Sequence, residues 1–222
     1  MKRIILIALL FALSNNGLAA KADTLDQKAE HIASKTDNLK PSVVKLAMEA
    51  FYNSKKLGVA TTKSIITVID YSLPSTEKRL WVVDIDQQKI LHTSLCAHGK
   101  YSGDNYTTNF SNSFGSKQTS IGLFLTESTY LGKNGLSLKI QGLEKGFNEN
   151  AEARTIVIHG APYVNQQFAS TVGRVGRSFG CPAIESELAA PIINTIKNGT
   201  LVFSFYPDQN WLNSSRFINQ QA

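Results

Sequence analysis

Seven short segments between Ser64 and Pro207 constrain this chain more than any other feature: SIITVIDYS, RLWVVDID, KILHTSLCAHG, SIGLFLTES, LSLKIQGL, RTIVIHG and TLVFSFYP. Each is rich in β-branched and aromatic residues, which suit a pleated, half-buried surface, and turn-forming Gly, Asn, Asp and Ser separate them. Seven strands at such close spacing predict a sandwich or barrel-like β domain. Asp86-Gln87-Gln88 reads as the hairpin turn between the second and third. The polar stretch YSGDNYTTNFSNSFGSKQ, residues 101–118, is a long loop, and loops of that length inside a compact domain are often functional.

Helical periodicity marks two other regions. Residues 24–57 are predicted helical: Val44, Ala47, Met48 and Phe51 fall at i, i+3, i+4 and i+7, Pro41 suits a first turn and Gly58 a stop. The stretch before Pro41 is more polar, and His31 within it reads as a solvated surface histidine. Later, ELAAPIINTIKNG places Leu188, Ile192 and Ile196 four apart after Ser186 as N-cap, with Pro191 setting the entry of the regular part and Gly199 closing it. The expected class is mainly β and sandwich-like, with N-terminal helices and one late helix, α+β overall.

The chain opens with Lys2 and Arg3 ahead of a 10-residue apolar run from Ile4 to Leu13, then small residues at Gly17-Leu18-Ala19 and Ala20-Lys21-Ala22. That pattern predicts a signal peptide over residues 1–22, cut between Ala19 and Asp23. The run falls well short of the roughly 20 residues needed to span a bilayer, so an exported protein of the periplasm or cell wall is expected, with no stable membrane anchor. No cysteine lies near the cut, which removes lipid attachment there. Residues 23–58 form a helical segment and 59–222 the main domain.

Loss of residues 1–22 removes Lys2, Arg3 and Lys21 but no acid, leaving 20 basic against 17 acidic residues and a net charge of +3. This mild surplus shows no dense basic cluster and no interleaving of aromatic with basic residues, so nucleic acid is not an expected partner.

The chain has two cysteines, Cys96 and Cys181. In an oxidising compartment a disulfide between them is one reading, and a reactive thiol at Cys181 is the other. The surroundings of Cys181 favour chemistry. TIVIHG ends a strongly apolar strand on His159, which fixes the direction of the imidazole, and Cys181 follows 22 positions later in VGRSFGCPA. A thiol of ordinary pKa, about 8.5, is mostly protonated at neutral pH, and a histidine that takes its proton makes it a strong nucleophile. The second imidazole nitrogen needs a partner to fix its tautomer, a task suited to the Gly160 carbonyl. Gly180 permits close approach of a substrate, while Pro182 has no N–H. An oxyanion hole must therefore use Gly180, Cys181 or a distant segment. Arg174 and Arg177 are candidates to hold a substrate carboxylate by paired hydrogen bonds. His98, in a second His-Gly beside Cys96, is a rival base.

IVIHG followed by GRSFGCPA resembles the signature of the L,D-transpeptidase catalytic domain, and TSIGLFLT resembles an upstream segment of that family. LPSTEKRLWVVDI, AHGKYSGDNY and GLEKGFNENA are similar to its murein L,D-transpeptidase branch, whose members carry helices before the β domain. The resemblance spans roughly Ser64 to Pro207. It implies an acyl-transfer enzyme acting on peptidoglycan stem peptides, with Cys181 as nucleophile, His159 as general base, the Gly160 carbonyl orienting the imidazole, and Ser178 and Gly180 in the nucleophile loop. The implied reaction attacks the carbonyl of the third stem residue, typically diaminopimelate, and releases D-alanine. The thioester then passes to an amine or to water, with no metal or organic cofactor. The chain departs from the family pattern in three places. Phe179 replaces the usual loop histidine, and Pro182 and Ala183 stand where Asn or Arg often follows the cysteine. The gap from His159 to Cys181 is also longer, which predicts an enlarged loop, YVNQQFASTVGR, lying over the site.

Overall fold

The computed structural model describes residues 23–219; the predicted signal peptide lies outside them. The elements run α1 (Leu25–Ala33), α2 (Pro41–Lys56), β1 (Ile65–Asp70), β2 (Lys78–Asp84), β3 (Lys89–Ala97), β4 (Gly122–Gly132), β5 (Gly135–Gly142), β6 (Val157–Ala161), α3 (Gln166–Val172), β7 (Ala183–Glu185), α4 (Ser186–Ile196), β8 (Leu201–Phe205) and α5 (Gln209–Ser214). The strands close in the order β1-β2-β3-β7-β6-β5-β4-β8. Most neighbours are antiparallel, but β1 pairs β8 in parallel and β6 pairs β7 in parallel. The mainly β class read from the sequence is the class observed, with the sheet closed on itself.

Closure explains why the strands read as nearly continuous apolar runs: strands covered on both faces bury both sets of alternating side chains. On β1, Ile66 and Val68 join one core while Ile65 and Ile69 join another; on β2, Trp81 and Val83 oppose Leu80 and Val82 in the same way. The first core lies under the helices. Val44, Ala47, Met48 and Phe51, the stripe predicted on α2, pack there with Ile32 of α1 and with Phe203 and Trp211. Fully burying each large side chain of this kind contributes about 1.5–3 kcal/mol. Ile192, Ile193 and Ile196 of α4 enter the second core.

Several boundaries differ from the sequence reading. Residues 24–57 form two helices, because the chain turns through Ser34–Lys40 with Asn38 at φ 64°. Thr24 and Gln27 close a capping box that starts α1, a stronger signal than its weak amphipathicity. Ser186 is the first helical residue of α4 and makes no side-chain cap. Pro191 lies inside that helix rather than at its entry, and its missing N–H leaves the Glu187 carbonyl without the usual intrahelical donor. The helix ends at Ile196, and Gly199 (φ 94°) serves the following turn into β8. The eighth strand, β7, was not expected. No helix among the described residues is long and apolar enough to cross a membrane.

Candidate active site

Strand β6 is the floor of the site. His159 pairs with Ser137 of β5 on one side and with Ala183 of β7 on the other. Because β6 and β7 run parallel, continuing that register by two residues sets Cys181 beside Val157. Val157 and His159 project from the same face, about 7 Å apart along the strand at 3.3 Å per residue. Val157, His159 and Cys181 accordingly line one cleft of about 420 Å³, with Ser137 and Tyr163. The lining includes Lys133, Arg177 and His159 but no carboxylate.

His159 is 4% exposed, and its Nδ1 lies 2.8 Å from the Gly160 carbonyl oxygen. A carbonyl only accepts, so Nδ1 carries the proton and donates, leaving the lone pair on Nε2. Burial pushes the imidazole below its ordinary pKa, the Gly160 hydrogen bond opposes this, and the Lys133 charge adds to it. The ring is therefore a neutral base at neutral pH. Burial pushes the Cys181 thiol up, opposed by the Val157 N–H and by the Arg154 charge. The resting cleft therefore holds a protonated thiol beside a neutral imidazole.

The turn carrying Cys181 is held from within. Ser178 Oγ donates to the Cys181 carbonyl (2.6 Å) and accepts from Gly180 N–H (3.0 Å). Ser178 N–H donates to the His98 carbonyl at 3.0 Å, and the Ser178 carbonyl accepts from Lys100 N–H at 2.8 Å. Of the two local oxyanion donors considered from the sequence, Gly180 N–H is thus already engaged. Gly180 adopts φ 125°, and a Cβ there would lie 2.8 Å from the Gln118 carbonyl oxygen, so the turn closes only around glycine. Thr155 stands at φ 56°, an unusual conformation for a β-branched residue, and its carbonyl accepts from Cys181 Sγ at 3.8 Å.

Of the residues singled out in the sequence, Cys181, His159, Arg177 and Ser178 meet at this cleft, and Gly160 and Gly180 support it. Arg177 keeps one terminal nitrogen on the Gly103 carbonyl (2.9 Å) and near Asp104 (3.5 Å). Arg174 is not among the lining residues; its Nε pairs with Asp104 at 2.8 Å. His98, the rival base, lies outside the cleft: its Nδ1 meets Arg79 Nη2 at 2.7 Å, and burial together with the Arg79 charge pushes it down to about 3. Both cysteines are free thiols. Cys96 is fully buried on β3, opposite Ile184, where burial pushes its pKa to about 11. Phe179 is 67% exposed, with Lys117 Nζ 4.9 Å from its ring centre.

Sequence reasoning missed Tyr163, Ser137, Lys133 and Arg154. Tyr163 had a signal: its ring covers Gly176, where a Cβ would lie 2.4 Å from it, and the two glycines of GRVG invite such contact. The enlarged loop predicted after His159 contains α3, begun by Asn165, whose side chain accepts from Phe168 N–H. Ser137 and Lys133 reach the site only through the β4–β5 hairpin, whose β4 runs to Gly132, beyond the strand predicted to end at Ser128.

A buried strand-end imidazole and a cysteine on a tight turn face one cleft in a closed sheet, the two residue types from which activated thiol nucleophiles are built. Residues 35–205 match the model of the L,D-transpeptidase catalytic domain, and the chain belongs to that family. No curated protein sequence matches it significantly. Among solved structures, it is similar to an L,D-transpeptidase from Mycobacterium smegmatis, with 14% identity and a TM-score of 0.39, covering 64% of this chain and 59% of that one. For Mycobacterium tuberculosis L,D-transpeptidase 1 the values are 15% and 0.36, covering 66% and 63%. For an L,D-transpeptidase from Stackebrandtia nassauensis they are 13% and 0.39, covering 83% and 92%. The chain therefore spans less than two thirds of the length of the two mycobacterial proteins.

Proposed function

We propose that this protein is an exported L,D-transpeptidase that remodels peptidoglycan stem peptides through a thioester on Cys181. His159 Nε2 takes the thiol proton, and Sγ attacks the carbonyl of the third stem residue. The C–N bond to the terminal D-alanine breaks, and the departing nitrogen receives the proton from the imidazolium. The acyl group then passes to an amine of a neighbouring stem, giving a cross-link, or to water, giving L,D-carboxypeptidase activity. The signal peptide over residues 1–22 would deliver the enzyme to the periplasm or cell wall, where this substrate lies.

The observation that carries this reading is the shared cleft of His159 and Cys181, with the imidazole already oriented by Gly160. A lining with Lys133 and Arg177 and without carboxylates suits a peptide that bears free carboxylates. The test is mass spectrometry of the mature protein incubated with a carbapenem. One covalent adduct should map to Cys181 and vanish in Cys181→Ala. It should form about 10²–10⁴ times more slowly in His159→Ala, the usual worth of a general base. An adduct elsewhere, or none alongside failure to release D-alanine from tetrapeptide stems, would end the proposal.

A further inference from the structure

Arg154 precedes β6 and is half buried, yet it forms no ion pair among the described residues. All its side-chain hydrogen bonds go to neutral oxygens of one loop. Nη1 donates to the Ser111 carbonyl (2.7 Å) and Ser120 Oγ (2.6 Å), and Nη2 donates to Ser116 Oγ (3.2 Å) and the Gln118 carbonyl (2.7 Å). The Gln118 carbonyl is the atom that packs under Gly180. Arg154 Nη2 itself would lie 3.3 Å from a Cβ on Gly180, the residue before the nucleophile. A guanidinium cannot shed its proton in a protein, so Arg154 is a permanent charge, balanced here only by neutral dipoles and free to favour an anion that forms nearby.

We infer that Arg154 is the fixed positive charge that stabilises the Cys181 thiolate, and that its four hydrogen bonds position it beneath the nucleophile turn. The anion it faces is transient, appearing when the S–H bond breaks and the proton moves to His159 Nε2. This inference rests on Cys181 being the nucleophile. It explains how a thiol in a partly closed cleft ionises without the anion losing all compensation. The Coulomb effect of Arg154 on Cys181 is downward, against the upward effect of burial. The other titratable or charged groups around this thiol are His159 on β6, Tyr163 before α3, Tyr130 and Lys133 on the hairpin, Arg177 upstream, and buried Tyr71. All of them stay unchanged in the test.

The test is the pH dependence of iodoacetamide alkylation of the mature protein, with Cys181 followed by peptide mapping. It needs no substrate, so it reads Arg154 separately from the acyl-transfer assignment. Arg154→Met should raise the alkylation midpoint by about one pH unit or more, roughly tenfold slower reaction at a fixed pH below it, since an opposite charge nearby typically shifts a group by 1–3 units. Arg154→Lys should restore most of that shift. Arg154→Gln, which keeps amide donors for the loop oxygens but not the charge, should also raise the midpoint, so the question is decided even if the methionine variant does not fold. Midpoints that stay at the wild-type value in folded Arg154→Gln or Arg154→Met would reduce Arg154 to a loop staple and overturn the inference.

Discussion

His159 shows how much one buried ring can determine. Desolvation disfavours the imidazolium, and Lys133 across the cleft repels it further, so the neutral base persists as pH falls. The acid limb of kcat/KM for D-alanine release should therefore lie below about 6.5, the ordinary histidine value. In Lys133→Gln the repulsion is removed and the limb should move upward; a limb at or above the ordinary value in the wild type would contradict this. At this scale the sequence was partly legible. IVIHG and FGCPA announced His159, Gly160 and Cys181, because strand-end and glycine-turn chemistry is local. Arg154 and Lys133 carried no such mark. Arg154 matters through a loop some 40 residues upstream, and Lys133 through a hairpin whose reach depends on register. Ser178 was visible but its task was not: its hydroxyl bridges two backbone groups of the turn instead of facing outward.

Among elements, legibility followed self-sufficiency. Helix α2 could be read from Pro41 to Gly58 because its stripe, its first-turn proline and its stop are all its own. β7 could not, since three residues do not make a recognisable strand pattern and this one exists only between β3 and β6. The same contrast applies to α3, seven residues long and burying only Ala169. Its integrity leans on its caps: Asn165 Oδ1 accepts from Phe168 N–H at 2.7 Å, Nδ2 donates to the Pro162 carbonyl at 2.7 Å, and Gly173 (φ 77°) ends it. Asn165→Ala should weaken this helix by about 1 kcal/mol. The effect should appear as faster amide exchange over residues 166–172 with little change in global melting; unchanged exchange would show that packing on Tyr163 and Val164 holds the segment alone.

For the whole molecule, the boundary near residue 58 is a change of period in the sequence, while the buried residues on its two sides touch. Met48 and Phe51 share one core with Trp81 and Phe203. Trp211 of α5 joins them and donates its indole N–H to Glu144 at 3.0 Å. Removing residues 23–58 should uncover Ile66, Val68 and Trp81 along the outer face of the sheet and leave a chain that aggregates or does not fold. A shortened chain that stays soluble and melts in one sharp transition would mean that the helical layer is dispensable.

The contrast between the two cysteines reaches beyond the reaction. One sulfhydryl opens to the cleft; its sibling on β3 is walled in by strand packing on every side. A folded molecule is thereby protected from quenching its own reactivity. In surroundings that readily oxidise thiols, the working sulfur can be capped only by an outside molecule, and any reductant that removes the cap regenerates it without rearranging the barrel.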